Sequence, residues 1–200
     1  CQRSHAHALR LGLDVHDYTA QDRVAATLDA LGRSDEAVRA LIALYARNDV
    51  RGCERADVTI NLAWFLDVAP NATPLDRERA LTLLDEARAL FPEACGDPGR
   101  KAIAETNLAF AALHVGDLAR AQRARSEAAR LAGEADAGLA VWWALLDGEL
   151  ALARSDADGA LTAFDVALAR AGTQDDPAFR ARVGRARALE RAGALARARA

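Results

Sequence analysis

Two asparagine–aromatic pairs are the residues of this chain best suited to chemistry: Asn61 with Trp64, and Asn107 with Phe110, each pair spaced by three residues. At helical spacing the members of a pair share one face, and Val68 and His114, four residues further on, extend the two rows. Trp142, Leu145 and Glu149 form a third row of the same kind. A carboxamide offers two donors and an acceptor, so two of them at matching places can hold an extended peptide by its backbone. Trp64, Phe110 and Trp142 would then anchor an apolar side chain of that peptide, with Trp143, one residue round the helix, as the buried ring. The competing reading is that each asparagine bonds a neighbouring helix or loop and that the rings belong to the core, as large apolar residues usually do.

Catalytic signatures are missing from the sequence. There is no phosphate-cradling glycine loop, no nucleophile elbow and no paired-histidine zinc motif. His5, His7 and His16 with Cys1 match no metal-ligand spacing, so neither a metal nor another cofactor is expected, and the chain itself is not read as an enzyme. Three cysteines, Cys1, Cys53 and Cys95, are an odd count at wide spacing, which argues against a disulfide framework and for a reducing compartment. Cys53 and Cys95 each precede the first helix of a unit; a bond between them is the alternative to isolated thiols, the reading preferred here.

The elements that must position these residues are helices. Hydrophobic residues make up 52% of the 200, much of that alanine, and only 5% are aromatic. Alanine has the best helix propensity and permits close helix-on-helix stacking, so the composition points to an all-α chain. The 26 basic residues, of which Lys101 is the only lysine, face 29 acids for a net charge of -3. A nucleic-acid partner would call for a basic excess, and the arginine-rich segments 120–130 and 180–199 are interleaved with acids and alanines as solvated helix faces are. No run reaches the roughly 20 apolar residues that span a bilayer, so no membrane partner is expected.

Residues 105–131 contain a whole helix–turn–helix unit. Leu108, Ala112 and Leu113 recur at helical spacing, Gly116-Asp117 stops the helix, and Leu118, Ala121, Ala124, Ala128 and Leu131 mark the second. Similar units recur at 20–50, 54–92, 101–132, 136–172 and 176–200, the last cut short, after a segment 1–19 read as the tail of an earlier unit. Ser34 is placed as the cap of the second helix in the first unit. The second unit has an expanded turn, Val68 to Leu75, with Pro70 and Pro74, and its second helix ends at Phe91-Pro92 before an irregular link, Glu93 to Arg100. In the fourth unit Trp142, Trp143, Leu146 and Gly148 precede Ala160, Phe164 and Ala167; the fifth carries Ala186, Leu189, Gly193 and Ala198.

The small residues Ala109, Gly116, Ala121 and Ala128 sit where two such helices press together. Their spacing resembles the tetratricopeptide (TPR) repeat, with alanine or glycine at place 8, glycine at 15 and alanine at 20 and 27. Place-20 alanines fall at 37, 80, 121, 160 and 198, spaced by 43, 41, 39 and 38 residues. These exceed the 34-residue norm of the family. With Asn-Leu-Ala at 61–63 and 107–109, they look like the long variant found in kinesin light chains and in bacterial arrays that precede an effector domain.

The resemblance implies a right-handed superhelix, an α-solenoid of antiparallel hairpins, whose concave groove is lined by the first helix of each unit. It also implies a protein or peptide partner held there by asparagines at the places of Asn61 and Asn107, with Trp64, Phe110, His114, Trp142 and Glu149 completing the lining. Family members of this kind are often followed by a caspase-like peptidase, a kinase or a DNA-binding regulator. The chain is accordingly expected to be a regulatory or targeting fragment of a larger bacterial protein. The alternatives are the sensor array of an enzyme whose catalytic domain lies outside this chain, and a self-assembling structural array. Its expected location is the cytoplasm, or the bacterial envelope if Cys1 is the lipidated residue of a processed lipoprotein.

Overall fold

The repeated device in this chain is a turn made by one left-handed residue followed directly by a helix cap. Gly116 has φ of 86°, its N–H bonds the Leu113 carbonyl and the Asp117 N–H reaches back to Ala112 at 2.9 Å. Ser155, with φ of 63°, repeats this through Leu152 and Ala151, again with 2.9 Å to the second. Gly32, at 71°, supports the same long bond from Arg33 to Leu28. These six-to-one bonds satisfy carbonyls that a helix end leaves open. The next residue then starts the partner helix: Asp117 accepts from the Arg120 N–H and Asp156 from the Gly159 N–H, both at 2.9 Å.

The computed structural model describes residues 24–25, 27–28, 31–94, 96–133 and 137–193. Val24, Ala25, Thr27 and Leu28 are helical. The helices that follow are α1 (Ser34–Tyr45), α2 (Gly52–Val68), α3 (Pro74–Ala94), α4 (Pro98–His114), α5 (Leu118–Ala132), α6 (Ala137–Ala153), α7 (Ala157–Ala171) and α8 (Asp175–Arg191). Among the described residues there is no strand, and the fold is all-α. No helix is long and apolar enough to cross a membrane. The expected segment 1–19, Cys1, Cys95 and Ala198 lie outside the described residues. The chain forms two compact units, Cys1–Asn107 and Leu108–Ala200, with the boundary inside α4.

In the first unit α1 packs on α2 and α2 on α3. The outer helix α1 buries one stripe, Ala37, Leu41 and Leu44, whereas α2 buries residues all round, from Ala56 and Val58 to Leu62, Ala63 and Leu66. A helix covered on several sides loses its amphipathic pattern. Ala56 and Ile60 meet Ala87 and Phe91 of α3 and Ala104 of α4, and Leu44 meets Val50 and Val58. Glu105 is buried in α4 and is held by Arg88 of α3 at 2.6 Å. At the far side Tyr45 donates its hydroxyl hydrogen to Glu86 at 2.5 Å beneath the Arg55 guanidinium, 3.8 Å from the ring centroid. Burial, and then the bond to the Glu86 carboxylate, raise the Tyr45 hydroxyl above the ordinary phenol range.

Several helix boundaries differ from the sequence expectation. Ser34 is the first helical residue rather than the cap; Arg33 stands at the cap position and spends its guanidinium on Glu36, at 2.6 Å. Helix α3 continues through Phe91-Pro92 to Ala94, and α4 starts at Pro98, inside the expected link. A proline at the first helical position needs no N–H there, so Pro98 opens a helix instead of interrupting one. The expanded turn is likewise shorter, Ala69 to Thr73, because Pro74 also opens its helix.

Thr73 and Asp76 close the start of α3 reciprocally: the Thr73 N–H donates to the carboxylate at 2.9 Å and the Asp76 N–H to the threonine oxygen at 3.2 Å. The threonine hydroxyl, foremost, and then its N–H hold Asp76 below the usual carboxylate range. A depressed carboxylate contributes stability above its unfolded pKa and loses it as pH falls through the folded value. Thr73→Ala is therefore expected to cost about 1 kcal/mol at neutral pH in urea unfolding. The gap between variant and wild type should narrow as the pH falls from neutral to below the ordinary carboxylate range. An equal gap at both pH values would show that the carboxylate has no part in the cap.

In the second unit α6, α7 and α8 pack mutually and α5 lies against α6. Helices α5 and α7 bury narrow stripes made mostly of alanine: Ala121, Ala124 and Ala128 in α5, and Ala160, Phe164, Ala167 and Ala171 in α7. Ala109, Ala121, Ala128 and Ala160 are all fully buried. Phe164 is fully buried too, and its ring lies against two glycines, Gly148 of α6 and Gly184 of α8. A Cβ at either would stand 2.6 or 2.5 Å from the Phe164 Cε1 atom. Thus the tightly packed small residue of α8 is Gly184, flanked by buried Ala181 and Ala188, and not Ala186, which is only half-buried.

Candidate functional site

The second unit gathers an aromatic group from two helices. Phe110, near the end of α4, stands 6.4 Å from Trp142 of α6 with the rings at 88°, an edge-to-face pair, and 6.4 Å from His114 one turn further along α4. This is the preferred geometry for aromatic quadrupoles. Phe110 is 8% exposed and serves mainly as the wall behind Trp142, which is half-buried; His114 is exposed. The second side of Trp142 faces α8, where the Arg180 guanidinium lies 5.9 Å from the indole centroid, at the outer reach of a cation–π contact. Arg180 is itself steadied by Asp176 at 3.0 Å.

Two turns along α6 from Trp142, Glu149 accepts from Arg187 of α8 through both oxygens, at 2.9 and 3.1 Å. Residues two turns apart on α6 and α8 thus build one face: Trp142 opposite Arg180, and Glu149 opposite Arg187. Trp142 is backed by Val141, Ala171 and Ala178, which hold the indole in place. Arg180 and Arg187 were not anticipated as site residues, because their sequence neighbourhood is arginine-rich and reads as a solvated face. Their reach across to α6 is a property of long side chains on adjacent helices. Leu145, expected in the row with Trp142 and Glu149, is 3% exposed and belongs to the core. The reason is that α6 is packed by α5, α7 and α8, so little of its circumference stays open. Trp143 is the buried member of the tryptophan pair, at 3% exposure.

The remaining expected residues fall in the first unit. Asn61 and Trp64 lie in α2 and Asn107 in α4, all three half-buried. Asn61 and Trp64 take part in interactions within the fold. Val68, at the end of α2, is half-buried.

Cys53 departs from expectation. It is disulfide-bonded rather than an isolated thiol, and it packs partly buried against Ala56, Ile60, Phe91 and Ala104 at the start of α2. Among the described residues no group of three histidine, cysteine or acidic side chains is placed to hold a metal ion. No protein-family model matches the chain, and no curated relative is found for it.

Proposed function

We propose that the chain is a TPR-like array of long repeats that binds a protein or peptide segment, and that it serves a larger bacterial protein as a regulatory or targeting module. Binding takes place on the face of α4, α6 and α8 centred on Trp142. The carrying observation is the placement of that ring, edge-on to Phe110 at 6.4 Å and below Arg180 at 5.9 Å, half-exposed on a scaffold of buried small residues. A fixed aromatic beside guanidinium donors is the usual composition of a binding hot spot. The turn shared by Gly32, Gly116 and Ser155 supports the repeat reading, since equal turns join equal hairpins. Catalysis, a cofactor and a nucleic acid have no place in this reading. The Cys53 disulfide favours the bacterial envelope over the cytoplasm.

The reading is tested by selecting a displayed random-peptide library on the immobilised chain, with soluble wild type or Trp142→Ala as competitor. Peptides that wild type displaces and the variant does not are the expected result. Failure to enrich any sequence, or equal displacement by both competitors, counts against it.

A further inference from the structure

On the other side of α6, away from Trp142, the second unit contains a cleft of about 400 Å³ lined by Arg125 and Ala129 of α5, by Trp143, Ala144 and Asp147 of α6, and by Ala163, Val166 and Arg170 of α7. Its volume is at the lower end for sites that hold small organic ligands, roughly 300–1,000 Å³. The floor is rigid. Arg125 grips Asp147 through two bonds of 3.0 Å each, and its guanidinium lies 5.0 Å from the centroid of the buried Trp143 ring. That pair is electrically neutral and, being bidentate, fixed in geometry.

The second cation is different. Arg170 is exposed at the rim, and its Nη1 donates to the Ala140 carbonyl at 3.2 Å, which orients the group without neutralising it. Among the described residues no carboxylate stands within ion-pair reach of Arg170. Among the described residues the cleft therefore holds one uncompensated positive charge, held in direction by a backbone bond, beside an apolar wall of Ala129, Ala163 and the 39% exposed Val166.

We infer that this cleft is a binding site for a small monocarboxylate with a flat apolar body. The carboxylate would pair with the free donors of Arg170, a charge-assisted and directional contact. The body would lie over the neutral Arg125–Asp147 floor against Val166 and the alanines. One uncompensated cation matches one negative charge; a dianion such as phosphate would bring a second charge with no partner and must be desolvated for nothing. This site is separate from the Trp142 face and stands whether or not that face binds a peptide.

The test uses 1-naphthoate as probe, with 1-naphthamide as its uncharged analogue, titrated into the whole chain and followed by calorimetry. Saturable binding of the acid, with the amide at least about tenfold weaker, is expected. Arg170→Gln should raise the dissociation constant by roughly 10- to 100-fold, the effect of losing a charge-assisted bond. Ala163→Trp, which fills the cleft from the α7 side, should abolish binding; both variants are to keep the wild-type circular dichroism spectrum, and Val166→Trp replaces any that does not. Equal affinity for acid and amide, undiminished binding by the Arg170 and cleft-filling variants, or no saturable binding to wild type each overturns the assignment.

Discussion

Gly148→Ala and Gly184→Ala are expected to destabilise the second unit, each by about 1–3 kcal/mol or more in chemical unfolding. The sign is the informative part. An alanine in place of glycine within a helix ordinarily gains about 0.5–1 kcal/mol, because less backbone entropy is lost on folding. Here the new methyl group would stand 2.6 Å from Phe164 Cε1 for Gly148 and 2.5 Å for Gly184, well inside contact distance. Phe164 cannot retreat, since it is fully buried between the two helices. Gly96→Ala is the control: a Cβ there meets nothing within 4 Å, so that variant should be neutral. Combining Gly148→Ala with Phe164→Leu should cost less than the two separate losses added, because the shorter side chain vacates the space that the methyl needs. Ala121→Leu and Ala160→Leu, which overfill equally buried places, belong to the same class. Neutral or stabilising glycine variants would mean that α6, α7 and α8 do not approach as closely as described.

The second large effect belongs to Cys53. Disulfides contribute about 2–4 kcal/mol, chiefly by restricting the unfolded chain, although the mechanism is model-dependent. For a chain of this size that corresponds to a melting temperature lower by about 5–15 °C after reduction or in Cys53→Ser. Thiol titration of the unreduced, denatured chain should find a single free thiol among its three cysteines. A melting temperature indifferent to reductant, together with three titratable thiols, would remove the bond and restore the reducing-compartment reading.

How far the sequence foretells these features depends on which physical signal carries each of them. Gly116-Asp117 announces a turn because glycine accepts a left-handed conformation and aspartate caps the next helix. Ser155-Asp156 builds the same turn without glycine, and only the capping aspartate, Asp156, hints at it. The small residues Ala121, Ala128 and Ala160 were legible because helical periodicity and spacing agree on them. Gly184 was not, since the choice between it and Ala186 depends on which face of α8 meets the Phe164 ring, a matter of packing between helices far apart in the chain. The same reasoning separates Trp142 from Trp143 correctly yet fails for Leu145: one apolar face is visible in a sequence, but enclosure of α6 by three neighbours is not. Arg180 and Arg187 were hidden by their composition, for a guanidinium that reaches a neighbouring helix has the same letter as one that faces water. The disulfide was obscured by an odd cysteine count, which says nothing of which sulfurs meet.

The central claim, that the face around Trp142 receives a peptide, is tested most directly by calorimetric titration of a peptide selected on the wild-type chain. Trp142→Ala should weaken it by about 2 kcal/mol or more, as hot-spot truncations do, and Arg180→Ala, a surface change with little effect on melting temperature, should weaken it measurably as well. Undiminished affinity in both variants, with binding instead lost in Asn61→Ala or Asn107→Ala, would contradict the account and move the binding surface to the first unit.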